Sequence, residues 1–158
     1  AFGTEFEGSI TLNGNEISHL ARLEETAEKA SKVAAIGELR AVLLQRQRDF
    51  CRPPGLVADG RDMGTVVFPS ADLKIYLTAS AEERAQRRYK QLINKGVGVN
   101  LRDLLQDIGS RDERDANRQV SPLRPADDAV VIDTTSLTID QVLEKVLIKV
   151  EDTVTPDQ

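Results

Sequence analysis

Three short aliphatic runs, at residues 56–58, 73–77 and 130–133, are separated by longer stretches with helical patterning. Runs of strand length that alternate with helices predict a mostly parallel α/β sheet with helices on its faces. Ligands of such sheets bind beyond the carboxyl ends of the strands. Asp59 directly follows the first run and marks one such end.

The helical stretches carry their own punctuation. Residues 23–50 are rich in alanine and long side chains, with Gly37 as a break between two helices and Val33, Leu39, Leu43 and Phe50 facing inward. Ser80 followed by Glu83 reads as a capping box, opening a helix that runs through Arg84, Arg87 and Arg88 to about Asn94 and stops at Gly96. A charged helix is expected over about 101–118, closed by Pro122 and Pro125. The last helix starts at Thr138, with Gln141 as its reciprocal cap and a stripe of Leu143, Val146, Leu147 and Val150. Near the start, Asn13-Gly14-Asn15 after Ile10 and Leu12 predicts a short hairpin.

Composition narrows the function classes. The 158 residues suit one domain of ordinary size, and with four Phe, two Tyr and no Trp its core is aliphatic. A net charge of -5, from 21 basic and 26 acidic residues, argues against nucleic acid or an anionic membrane as the partner. No apolar run approaches the roughly 20 residues of a membrane span. Cys51 is the single cysteine, which excludes an internal disulfide and points to a reducing cytoplasm. The chain opens at Ala1 without a Met, and residues 1–6 read as a linker left by cloning.

Three segments hold residues suited to chemistry. The run 58–69, ADGRDMGTVVFP, puts Asp59, Arg61 and Asp62 on a turn after a strand, which suits a phosphate-bearing ligand and a hydrated metal. By spacing alone, a β-turn with solvated charges explains it as well or better. The run 111–118, RDERDANR, places Arg111, Arg114, Asp115 and Arg118 on one helical face, and guanidiniums so arranged can clamp a phosphate. A solvated helix with internal ion pairs is the plainer reading of that spacing. Ser31 in ASKVAA, with Arg40 nine residues on, is by itself ordinary helix sequence.

The order of these segments is more telling than any one of them. ASKVAA with Arg40, then ADGRDMGTVVFP, SAEERAQRR, RDERDANR and SPLRPADDAVVIDT resembles the bacterial cytidylate kinases over about residues 8–150. The resemblance implies a P-loop nucleoside monophosphate kinase fold and transfer of the ATP γ-phosphoryl group to CMP or dCMP with Mg²⁺. It also implies that Ser31, Arg40 and Asp62 hold the cytosine, that Arg61 and Arg111 bind the monophosphate, and that Asp115 and Arg118 contact the sugar and base side. Asp59 would lie near the metal. Arg87, Arg88 and Arg114 would belong to a lid at about 84–118 that closes over the phosphates of ATP.

One family feature is not found in these residues: no GxxxxGK[ST] loop occurs. The expectation is therefore a C-terminal portion of such a kinase. Residues 7–50 would be the remainder of the CMP-binding region, and 51–158 one half of the core around an incomplete sheet. Strands containing Val57 and Val131 would then lack a neighbour, leaving an edge open to self-association. Such a chain would be inactive or weak alone, with ATP binding only once the missing part is supplied. A second reading is a non-catalytic chain that binds CMP or docks a partner.

Overall fold

The computed structural model describes residues 9–21, 23–94, 96–117 and 122–154. Arg118 lies outside them, as do residues 1–8. The chain divides into two compact units, Ala1–Pro53 and Pro54–Gln158.

The first unit opens with a hairpin of β1 (Thr11–Leu12) and β2 (Asn15–Glu16), paired antiparallel with Thr11 opposite Glu16. Asn13 and Gly14 both have positive φ, 52° and 81°, the combination a two-residue turn needs to match the strand twist. Ser18 closes the base of the hairpin: its hydroxyl accepts from the Ile10 amide at 2.8 Å, while its own amide donates to Glu16 Oε1 at 2.8 Å. Three helices follow: α1 (Ser18–Ala21), α2 (Glu24–Val33) and α3 (Gly37–Arg48). The break expected at Gly37 falls just before it, where Ile36 is extended.

Two expectations for this unit need correction. Val33, Leu39, Leu43 and Phe50 are not inward; they are exposed, Phe50 by 64%. Ser31 is the one buried residue among those described in this unit. An apolar stripe is buried only where a second element packs against it, and no described element covers these side chains.

The second unit holds the parallel sheet. Strands β3 (Ile75–Thr78) and β4 (Val130–Asp133) pair in register, Ile75 with Val130 through to Thr78 with Asp133. Both are rich in β-branched residues, which fit a pleated surface. Helix α4 (Ala81–Asn94) follows β3, α5 (Leu101–Ala116) packs on α4, and α6 (Ile139–Val154) follows β4. Helices thus flank a small parallel sheet, the α/β arrangement the alternation predicts. The described hydrophobic core is small: Val67, Ala85, Ile132 and Val142.

The expected strand at 56–58 does not form. Its residues have no regular structure and are exposed, Val57 completely. An apolar run becomes a strand only where a neighbour takes its backbone hydrogen bonds, and among the described residues β3 and β4 pair with each other alone. The α6 stripe is also displaced. Val142 is buried, Val146 and Lys149 are partly covered, and Leu143 and Leu147 are exposed, so the inward face is 142, 146 and 149. That face keeps helical spacing but starts one residue earlier than the apolar pattern suggested.

The caps form as their spacing predicts, with one exchange of partners. Thr138 and Gln141 cap each other's amides at 2.9 and 3.3 Å. At α4 the Glu83 amide donates to Ser80 Oγ at 3.1 Å, but the Ser80 amide donates to Thr135 Oγ1 at 3.0 Å. Glu83 is left to accept from Arg87. Gly96 ends the helix with φ 74°.

Beyond the last paired residues, Thr134 extends the ladder. Its amide donates to the Thr78 carbonyl at 2.7 Å, and its hydroxyl donates to the same oxygen at 3.0 Å. Arg87 covers the arrangement, donating to Thr134 Oγ1 at 3.1 Å and to the Thr134 carbonyl at 2.6 Å. At the opposite end of the sheet, the Lys74 ammonium donates to Pro69 O at 2.6 Å and to both Asp128 oxygens at 2.9 and 2.7 Å.

Two predictions follow from these ties. Thr134→Val keeps the shape but removes the hydroxyl that accepts from Arg87 and donates to Thr78 O, and urea denaturation should show a loss of about 1–2 kcal/mol. The second concerns acid. The hydrogen bond from Lys74 holds the Asp128 carboxyl below its usual range, and the Thr135 hydroxyl does the same for Asp133. A carboxyl depressed in the folded state contributes stability above its unfolded pKa and loses it as pH falls through the folded value. Urea midpoints should therefore fall below about pH 4, and Lys74→Met should flatten part of that fall.

Candidate functional site

The segment after residue 58 is shaped by its own backbone. Asp62 opens a π-turn, Met63–Val67, in which the Asp62 carbonyl accepts from the amides of Val66 and Val67 at 2.9 and 3.2 Å. The Phe68 amide closes the turn on Met63 O at 2.7 Å. Such turns recur at functional sites because they rotate a few side chains out of helical register. Here the turn buries Val67, and the Asp62 side chain at its head is buried too.

Arg61 lies just before the turn and reaches α5. Its Nε stands 2.6 Å from Asp115 Oδ2, and Arg111 Nε lies 3.9 Å from the same oxygen. Asp115 is wholly shielded from solvent, while the Arg61 side chain is 41% exposed. One buried carboxylate therefore gathers two guanidiniums, one of which still presents donors to solvent. A buried ion must have such partners, since stripping it of water costs several kcal/mol. The arrangement can receive an anion: Arg61 offers a planar fork whose orientation is already set.

Helix α5 is braced to α4 by a second pair. Arg84 Nη1 and Nη2 donate to the two Asp112 oxygens at 2.9 and 2.5 Å. The hydrogen bond to the Asp112 carboxylate raises the pKa of Arg84 further. Asp112 and Asp115 thus point from one helix to two different neighbours, α4 and the loop at 61.

The other residues singled out from the sequence are dispersed. Asp59 is exposed on the loop. Arg87 directs its guanidinium to Glu83 Oε1, at 2.7 Å, and to Thr134, while Arg88 is half-buried on α4. Arg114 is on the exposed side of α5. Ser31 is buried in α2, and Arg40 of α3 donates to the Ala34 carbonyl at 3.3 Å; both belong to the first unit. The structure brings together Arg61, Arg111 and Asp115, next to Asp62. Sequence reasoning missed Asp112 and Thr134. Arg84 and Asp112 are 28 residues apart, so no local spacing could have joined them. Thr134, at the carboxyl end of a predicted strand, could have been found by its place.

A small parallel sheet flanked by helices is consistent with a nucleoside monophosphate kinase-like fold. The family model for cytidylate kinase matches residues 2–152. A cytidylate kinase of Chromobacterium violaceum is 61% identical over 148 residues, covering 93% of this chain and 67% of its own length. One of Vibrio parahaemolyticus is 61% identical over 142 residues, covering 90% of this chain and 63% of its own. Cytidylate kinase 1 of Haemophilus influenzae is 56% identical over 141 residues, covering 89% and 61%. The chain belongs to the cytidylate kinase family, and it spans about three fifths to two thirds of the length of the relatives it matches.

The cluster makes a clear prediction for stability. Asp115→Ala leaves Arg61 and Arg111 without their shared carboxylate and should cost about 3–5 kcal/mol in chemical denaturation. Arg114→Ala, on the exposed side of the same turn, should stay within about 0.5 kcal/mol.

Proposed function

We propose that this chain carries the CMP-binding side of a cytidylate kinase, which transfers the γ-phosphoryl group of ATP to CMP or dCMP to give ADP and CDP or dCDP. The observation that carries the reading is the buried Asp115 holding Arg61 at 2.6 Å beside Arg111 and next to the buried Asp62. A monophosphate dianion needs pre-set guanidiniums, and a cytosine needs a shielded acceptor for its exocyclic amine.

In this reading Arg61 and Arg111 bind the CMP phosphate and neutralise charge as its oxygen attacks the γ-phosphorus. The bond from that phosphorus to the bridging oxygen of ATP breaks, and ADP leaves. Asp115, shielded from solvent, acts through Arg61 by fixing its orientation, and Arg118 takes the sugar side. Asp62 reads the base. Uracil presents a carbonyl where cytosine presents an amine, so it would leave the Asp62 carboxylate unpaired. The reaction asks for alignment and charge neutralisation more than for covalent work by side chains.

Mg²⁺ enters with ATP. Among the described residues, no cluster of three or more acidic, His or Cys side chains offers a cage. Mg²⁺ with a nucleotide is bound mainly by phosphates and water with one or two carboxylates, and Asp59 is the residue that would hold it. When bound, it would offset charge on the transferring phosphates. Arg88 and Arg114, on the α4–α5 pair, would close over them, with Arg87 at the base of α4. The lone Cys51 fits a cytoplasmic setting. No helix among the described residues is long and apolar enough to cross a membrane.

The test is a titration of CMP, UMP and cytidine followed by amide NMR shifts. CMP should bind at least about tenfold tighter than UMP. Asp62→Asn should erase that preference, and Arg61→Met should erase the preference of CMP over cytidine. Equal responses to CMP and UMP would remove the reading. A coupled assay with ATP and CMP measures the transfer step separately.

A further inference from the structure

Among the described residues, the sheet of the second unit has an unpaired edge on β4, which pairs there with β3 alone, and that edge forms one wall of a groove. The Val130 amide donates to Lys74 O and the Thr134 amide to Thr78 O. In a parallel ladder alternate residues bond to the same neighbour, so the backbones of Val131 and Asp133 face away from β3. A groove of about 350 Å³ runs there, lined by all four residues of β4 and by Lys145, Ile148 and Lys149 of α6. Consecutive strand residues alternate between the two faces of a sheet, so a groove that four in a row reach follows the edge itself. Its second wall is one face of a helix, at spacings of three and four.

A strand edge beside a helix is the geometry into which an extended peptide adds as another strand, held by its main chain and selected by alternate side chains. The groove also specifies charge. Its floor is aliphatic, with Val131 55% and Ile148 47% exposed. The α6 wall carries two ammonium groups. Lys149 meets Asp152 at 2.9 Å, but both side chains are exposed, and such a pair is worth about 0–1 kcal/mol, too little to withhold the lysine. Asp133, the one acid in the lining, is already engaged by the Thr135 hydroxyl at 2.6 Å and the Thr135 amide at 2.9 Å.

We propose that the β4–α6 groove is a docking site for an extended acidic peptide segment, in which aliphatic residues on the β4 edge alternate with carboxylates facing Lys145 and Lys149. The site lies apart from the Arg61–Asp115 cluster in its residues, so the proposal stands independently of the nucleotide reading. An exposed edge is otherwise a liability for association, and the two lysines bias this four-residue one towards one kind of partner.

The experiment uses the intact chain and three short labelled peptides: alternating Glu and Val, alternating Lys and Val, and the Glu–Val peptide N-methylated on alternate amides. Binding is read by fluorescence anisotropy and by the NMR amide signals of Val131 and Asp133. The Glu–Val peptide should bind, shift both signals and weaken with added salt. The N-methylated peptide should lose at least about tenfold in affinity, because it cannot complete the ladder. K145E/K149E, changed at the outer wall, should invert the preference towards the Lys–Val peptide while leaving CMP titration unchanged. Equal binding of the Glu and Lys peptides would overturn the proposal, as would unchanged affinity in K145E/K149E. A concentration-dependent dimer, seen by light scattering, that blocks the peptide would overturn it too, since the occupant would then be a second copy.

Discussion

The ionised carboxylate of Asp115, shut away from water, is the constraint on which the second unit depends. It must be met by guanidiniums, and this fixes the loop at Arg61 against α5. The Asp115 carbonyl also accepts from the Leu123 amide at 2.8 Å, so the chain returning towards β4 is tied to the same turn of helix. From α5 the restraint passes to α4 through Arg84 and Asp112, and from α4 to the sheet through Arg87 and Thr134. The ties from Arg84 and Arg87 are charge-assisted hydrogen bonds between partly buried groups, the kind that is strong and directional. The buried apolar side chains of the unit are few and small. A polar relay running from loop to sheet therefore does positioning that larger proteins leave to a hydrophobic core.

Such a relay has a consequence for anion binding. A solvated arginine loses side-chain freedom when it grips a phosphate, and that loss subtracts from affinity. Arg61 has already lost it, because Asp115 holds its Nε. The rest of the fork stays available to solvent. A neighbouring carboxylate also weakens the attraction for an anion, so the arrangement exchanges some Coulombic pull for orientation. For phosphoryl transfer that exchange is favourable, since a misplaced phosphate reduces rate more than a weakly held one.

Much of this was legible in the sequence, and the failures share a cause. Capping signals are local, and those at Ser80, Asn13-Gly14 and Thr138 mark real boundaries. The parallel pairing of residues 75–78 with 130–133 followed from alternation of strand and helix. Residues 56–58 failed because an apolar run has no strand identity without a ladder partner, and none reaches it among the described residues. Leu39 and Leu43 failed because periodicity reports which face is apolar and is silent on whether anything covers it. At the site, RDERDANR gave the right helix, but helical spacing could not say that Asp115 turns inward while Arg114 stays out. That choice is made by Arg61, some fifty residues earlier, and by the pairing of Asp112 with Arg84. Long-range ion pairs leave no periodic trace.

The apolar residues that remain outside belong to the same logic. Val57, Leu77, Val131, Leu143 and Leu147 are exposed, yet the relay from Arg61 to Thr134 uses none of them. Covering these side chains would add hydrophobic stabilisation without touching the ion pairs that set the site. The chain therefore separates two kinds of contact, polar ones that orient groups and apolar ones left for association. The lining of the β4 groove includes none of Arg61, Arg84, Arg87 and Arg111, so a partner seated there leaves the guanidiniums untouched.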